Sequence, residues 1–163
     1  MKKAVKIKYG IKGVIPLTEK TAARQEIAIV LLNMGGPEKL EDVEPFLFNL
    51  FSDRLIIRLG PAFMQKFIAR FISRKRAPKS SKTYALIGGG SPLCKTTADQ
   101  AAALEKLLIP EGSYKVAVAM RYWHPRAEPT LHDLQLIGIN KIIALPLYPH
   151  YSIATSGSSL EVL

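Results

Sequence analysis

Three short apolar runs constrain this chain more than any other feature. Residues 27–32 read I-A-I-V-L-L, residues 114–120 read Y-K-V-A-V-A-M and residues 141–145 read K-I-I-A-L. Continuous apolar runs of this length, rich in β-branched residues and closed by Gly, Pro or polar clusters, mark strands buried on both faces, the kind that build parallel sheets. Parallel strands need crossover connections, and helical patterns lie between the runs. Thr97-Ala98-Asp99-Gln100 has capping-box spacing, which predicts Thr97 at the N-cap of a helix reaching about Leu108. A second helix is predicted from Ala127 to Leu136, ending before Gly138. The sum is an α/β domain with a mainly parallel sheet.

Ligands of such sheets bind off the carboxyl ends of the strands. All three runs end there in unusual sequence: N-M-G-G-P after the first, R-Y-W-H-P after the second and P-L-Y-P-H-Y-S after the third. The functional residues are expected at these ends.

The 163 residues suffice for one domain with a core. The net charge of +10 is unevenly spread. Residues 1–24, read as a flexible basic leader, carry seven Lys/Arg against Glu19, and residues 54–82 carry nine with no acid. One surface is therefore strongly basic, which points to an anionic partner: nucleic acid, lipid headgroups or a carboxylate-bearing ligand. No apolar segment follows Met1-Lys2-Lys3 as in a secretory signal, no run is long enough to cross a membrane, and Cys94 is alone. These features place the chain in the cytoplasm.

Residues 61–75, P-A-F-M-Q-K-F-I-A-R-F-I-S-R-K, form the odd segment. Phe63, Phe67 and Phe71 recur every four residues, and Lys66, Arg70 and Arg74 line another side of the same helix. A basic amphipathic helix with aromatics suits a membrane interface. It equally suits a helix covering its own domain's core, or the lip of an apolar cleft.

The stretch G-G-S-P-L-C-K-T (89–96) is one residue short of a phosphate-binding P-loop. Pro92 removes an N–H from the cradle, Cys94 stands where Gly is needed, and S-K-T-Y-A-L-I is a poor central strand. Nucleotide binding is therefore disfavoured. No G-x-G-x-x-G follows the first strand either. What remains is a tight turn presenting Ser91 near basic residues. With Arg76 and Arg121 it suits a carboxylate, and Tyr122, Trp123, Tyr148 and Tyr151 suit a flat apolar body. A basic nucleic-acid domain is the rival reading, but no recognition motif supports it.

Five blocks resemble the ferrochelatase family, in order and at its usual spacings. They are I-A-I-V-L-L-N-M-G-G-P-E (27–38), K-R-A-P-K (75–79), Y-A-L-I-G-G-G-S-P-L (84–93), R-Y-W-H-P (121–125) and Y-P-H-Y-S-I-A-T-S-G-S-S-L (148–160). The resemblance implies a Rossmann-like, three-layer domain over residues 25–163, the first of two similar domains flanking a porphyrin cleft, with an amphipathic lip at about 54–76. It implies insertion of Fe²⁺ into protoporphyrin IX or coproporphyrin III, a step of haem biosynthesis. Met34 would lie against the macrocycle, Arg76 and Ser91 would hold its propionates, and Arg121, Tyr122 and Tyr148 would line the pocket on the metal-entry side. His150 would serve there as a metal-side residue, and the 61–75 helix would touch a membrane peripherally.

No cofactor is implied. Some members bind a [2Fe–2S] cluster through a Cys in the segment where this chain has Ile153, so a cluster held in that way is not expected. Members are about twice this length, and their catalytic His, in an S-x-H-x-x-P type motif, lies in the second domain. The expectation is a C-terminally incomplete first half with no catalytic residue of its own. The alternatives are a non-catalytic porphyrin- or haem-binding half-domain, or a half-size cobalt chelatase acting as a homodimer.

Overall fold

The computed structural model describes residues 27–163. The leader assigned to residues 1–24 lies outside the described residues. Strands β1 (Ile27–Asn33), β2 (Tyr114–Met120) and β3 (Lys141–Pro146) form one sheet in the order β2-β1-β3, and both pairings are parallel. Helices α1 (Val43–Ser52), α2 (Gln65–Ala85) and α3 (Leu93–Leu108) connect β1 to β2, α4 (Ala127–Leu136) connects β2 to β3, and a short α5 (Ser158–Leu160) follows a single π-turn at Ile153–Gly157.

The alternating side chains of β1 feed two cores, as the period of two requires. Ile29 and Leu31 pack with Val116 and with Ala101, Leu104 and Leu108 of α3 on one face. Ala28, Val30 and Leu32 pack with Ala119, Ala127, Leu134 and Ile139 on the other. Helices on both faces give the three layers expected. A third cluster sits beside the carboxyl end of the sheet, where Val43, Phe46 and Leu47 of α1 meet Ala77, Met120, Tyr122 and Trp123. The α1–α2 hairpin is thus a wall standing over the strand ends.

Three expectations are corrected. The helix expected to start at Thr97 starts at Leu93: Ser91 Oγ accepts from the Leu93 N–H at 3.3 Å, and Thr97 is fully buried inside α3. Its hydroxyl accepts instead from Asn33 Nδ2 at 3.1 Å, so Thr97 ties α3 to the end of β1. The reciprocal capping box is at the π-turn, where Thr155 N donates to Ser152 Oγ and Ser152 N to Thr155 Oγ1, both at 3.1 Å. Second, β3 is not buried on both faces. Among the described residues it lies at an edge, with Ile142, Ile143 and Leu145 more than 40% exposed, because α3 and α4 pack over β1 and β2.

The third correction concerns the 61–75 segment. A 3₁₀ turn at Ala62–Met64 leads into α2, which runs on through Pro78 to Ala85 and so takes in the K-R-A-P-K block. Its buried stripe is Gln65, Ala69, Ser73 and Ala77, small residues after the first, spaced four apart. They bring α2 close against α1. Phe63, Phe67 and Phe71 face outward at 85, 75 and 67% exposure. The aromatic face does not cover the domain's own core. Gln65 fixes the loop ahead of α2: its Nε2 donates to the carbonyls of Phe51 (2.8 Å) and Ile57 (3.0 Å), and its Oε1 accepts from the Leu59 N–H (3.1 Å). Among the described residues no helix is long and apolar enough to cross a membrane.

Candidate functional site

The strand ends stay tied beyond the sheet. Arg121 N donates to Asn33 O and Tyr122 N to Met34 O, both at 2.9 Å, and Leu147 N donates to Leu32 O at 2.9 Å. Asn33, buried at the end of β1, turns its Oδ1 back onto the Met34 N–H at 2.8 Å. Gly35 then takes φ +81°, and a Cβ there would strike Trp123, so only glycine permits this crossing. Met34, Arg121, Tyr122 and Tyr148 are brought to one end of the molecule by this convergence.

At its centre stands Asp53, the residue that ends α1. Its Oδ2 accepts from Arg121 Nη2 (2.8 Å) and Nε (3.2 Å), from Tyr122 OH (2.7 Å) and from Ser158 Oγ (2.7 Å), while its Oδ1 accepts from the Leu55 N–H at 2.8 Å. Arg121 Nε also lies 2.6 Å from Ser158 Oγ. Tyr148 shares a hydrogen bond with the adjacent Ser159, OH to Oγ at 2.8 Å. One carboxylate therefore joins the end of α1 and the loop after it to the end of β2 and to α5.

The electrostatics follow from that crowding. Burial alone would raise the Asp53 pKa, but the hydrogen bonds from Ser158, Tyr122, the Leu55 N–H and Arg121 outweigh it and hold the carboxyl below its ordinary value. Burial pushes the Tyr122 phenol up to about 12, with the bond to Asp53 and its charge adding to the rise and the Ser158 bond opposing it. Burial also raises Tyr148, against the Ser159 bond and the charge of Arg121. Both phenols are neutral at physiological pH.

Of the residues singled out from the sequence, Arg121 and Tyr122 share this cluster, and Tyr148 joins its edge. Arg121 does not offer a free guanidinium, since Asp53 already occupies its fork; the carboxylate site expected of Arg121 is filled from within. Met34 is half-buried and packs against the third core cluster. Arg76 stands apart on the exposed side of α2, its guanidinium 5.5 Å from the Phe51 ring. Ser91 lies at the start of α3, its N–H donating to Pro37 O at 2.7 Å, and it lines a cleft of about 540 Å³ with Gly88, Gly90, Lys95 and His124. His150 is exposed, and its carbonyl accepts from Thr155 Oγ1 at 3.3 Å. The Gly88–Gly90 turn is built as expected: Gly88 and Gly89 take φ +99° and +92°, and a Cβ on Gly90 would run into the Glu38 carbonyl.

Asp53, Ser158, Ser159 and Asn33 are the residues that the sequence reading missed. One signal was available. Asp53 is the last acid before the 54–82 segment, which has none, so it stands next to a block of cations with no acid of its own.

The profile of the ferrochelatase family matches residues 26–163, which span every element just described. The chain is 56% identical over 135 residues to a ferrochelatase of Desulfotalea psychrophila, covering 83% of this chain and 42% of that protein. It is 55% identical over 139 residues to a ferrochelatase of Geotalea uraniireducens (85% and 43%). It is 53% identical over 149 residues to the chloroplastic ferrochelatase-2 of Oryza sativa subsp. indica (90% and 28%). The chain thus spans less than half the length of these curated relatives.

Proposed function

Since this chain belongs to the ferrochelatase family, we propose that it supplies the porphyrin-binding wall of an enzyme that inserts Fe²⁺ into protoporphyrin IX or coproporphyrin III in haem biosynthesis. The observation that carries the reading is the convergence of Met34, Arg121, Tyr122 and Tyr148 at the carboxyl ends of a parallel sheet, under a wall of aromatic residues. That is where an α/β sheet holds its ligand.

In this reading Met34 and the neighbouring aromatics contact the macrocycle face. Arg76, whose charge no acid of this chain neutralises among the described residues, and Ser91 on its glycine turn take the propionates. Arg121, Tyr122 and Tyr148 form the rigid floor on the metal side, because the Asp53 and Ser159 bonds fix their side chains before any ligand arrives. His150, exposed at the end of β3, is the residue assigned to meet the incoming metal. Fe²⁺ enters as substrate, and two pyrrole N–H protons leave as it binds. No resident cofactor is needed, and Ile153 stands where a cluster-binding member would carry a Cys.

The outward Phe63, Phe67 and Phe71, with the basic residues of the same helix between them, support peripheral contact with an anionic lipid surface. A single, buried Cys94 supports a reducing compartment.

Titration of the 163-residue chain with protoporphyrin IX tests the reading, followed by Soret absorbance and by quenching of Trp123, with Fe²⁺ then added anaerobically. Saturable binding that Arg76→Ala and Ser91→Ala each weaken supports the wall. Metal insertion by this chain would make His150→Ala the next variant, while binding without insertion favours a porphyrin-binding role needing a further domain or a second chain. Absence of binding overturns the proposal.

A further inference from the structure

Between α1, the start of α2 and the end of β2 lies a polar cleft of about 370 Å³, separate from the cleft that Ser91 lines. Arg54, Lys66, Arg121 and Arg126 border it, and among the described residues Asp53 is the one acid on its wall. Asp53 is already committed to Arg121, so three cations face the cleft without a carboxylate partner among the described residues. Arg54 Nη1 is turned aside onto Gly60 O at 2.8 Å and Gln65 Oε1 at 3.5 Å, so Lys66 and Arg126 have the most donor capacity to spare. Arg126 gives one hydrogen bond, Nη1 to Arg121 O at 3.3 Å, and keeps the rest of its fork.

The same wall carries Ser52, whose hydroxyl is buried and has no hydrogen-bond partner among the described residues. A buried hydroxyl without a partner is costly and rare enough to need a reason. Crowded cations without a counter-ion are a second cost. Burial, and then the charge of Arg121, both press the Arg126 guanidinium toward losing its proton. One ligand answers both. An oxyanion accepts from Ser52 Oγ, from the Arg126 fork and from the Lys66 ammonium, and it neutralises the excess charge.

We infer that this cleft is a binding site for an oxyanion, a carboxylate or a phosphate, held by Lys66, Arg126 and the Ser52 hydroxyl. The site stands independently of the porphyrin reading, which gives the propionates to Arg76 and Ser91. Two sources share the chemistry: a small free anion, including one that carries iron as a carboxylate chelate, or a carboxylate arm of a larger ligand.

The test is calorimetric titration of the 163-residue chain with inorganic phosphate and, separately, with citrate, at constant ionic strength set by chloride. The expected result is a Kd of about 1 mM or tighter for at least one of them. Lys66→Met, on an exposed position that leaves the core untouched, weakens it about tenfold, and Ser52→Ala weakens it roughly fivefold. Arg126→Met abolishes it; should that variant fail to fold, the other two still decide. Protoporphyrin IX titrated into the phosphate-saturated protein then separates the sources. Unchanged affinity assigns the site to a free anion, and competition assigns it to a ligand carboxylate. Absence of binding below about 10 mM, or an affinity that Lys66→Met and Ser52→Ala leave unchanged, overturns the inference.

Discussion

Asp53 Oδ2 lies 2.8 Å from Arg121 Nη2, joining the residue that ends α1 to the residue that follows β2. The side chains are 8% and 17% exposed, so the pair is largely withdrawn from solvent. Asp53→Asn keeps the shape and removes the charge. It leaves Arg121 uncompensated and sets an NH₂ against either the Arg121 guanidinium or the Leu55 N–H, which can only donate. The expected loss is about 2 to 4 kcal/mol of stability, read by urea unfolding. A loss under about 0.5 kcal/mol would mean the cluster is solvated and not a fixed unit.

The same cluster sets two pH dependences of opposite sense. Asp53 is held below its ordinary 3.8, so its contribution is complete above that pH and is lost as pH falls through the lower folded value. The stability gap between wild type and Asp53→Asn should therefore close on acidification below about 3.8. Tyr122 is held near 12 against an ordinary 10.0, so the unfolded chain gives up its phenol proton first. Stability should fall as pH rises from about 10 to about 12, and Tyr122→Phe should flatten that limb. Parallel curves for the two proteins would show that the phenol is not perturbed.

Two glycines of one turn are required for different reasons, and alanine tells them apart. At Gly88 a Cβ meets open space, so Gly88→Ala costs only the strained φ of +99°, about 1 to 2 kcal/mol. At Gly90 a Cβ runs into the Glu38 backbone, which cannot swing away, so Gly90→Ala costs about 2 to 3 kcal/mol and displaces the adjacent Ser91. Protoporphyrin affinity should drop for Gly90→Ala well beyond any drop for Gly88→Ala. Equal affinities would detach Ser91 from ligand binding.

Phe67 and Phe71 contribute little to folding, being three-quarters and two-thirds exposed. The double change to Ser should alter unfolding free energy by no more than about 0.5 kcal/mol per site. Co-sedimentation with vesicles containing phosphatidylserine should fall at least tenfold, given roughly 1.5 to 3 kcal/mol for each Phe buried in an apolar phase. Unchanged sedimentation would remove the lipid-contact reading.

The strands and helix α4 were legible because their signals are local. Continuous apolar runs gave the strands nearly to the residue, and Gly138 stopped α4 where expected. The helix start at Leu93 was not legible, since the Thr97 pattern is a true local preference that a distant partner, Asn33, overrides. The exposure of β3 was hidden for a related reason. Its sequence reads as buried, and only the lateral placement of α3 and α4 leaves Ile142 and Ile143 uncovered. Arg121, Tyr122 and Tyr148 stood out by type and by position after strands. Asp53 and Ser158, 105 residues apart, carry no local mark of their meeting.

Helix α2 holds to the domain through Ala69, Ser73 and Ala77 and displays Phe67 and Phe71 on the other side. Attachment and display thus draw on different residues of one helix. Mutations can reshape the outer face one side chain at a time with the fold's free energy nearly constant. Substitutions there can therefore retune what that face adheres to, while an added methylene in the stripe of small residues would push α2 away from α1.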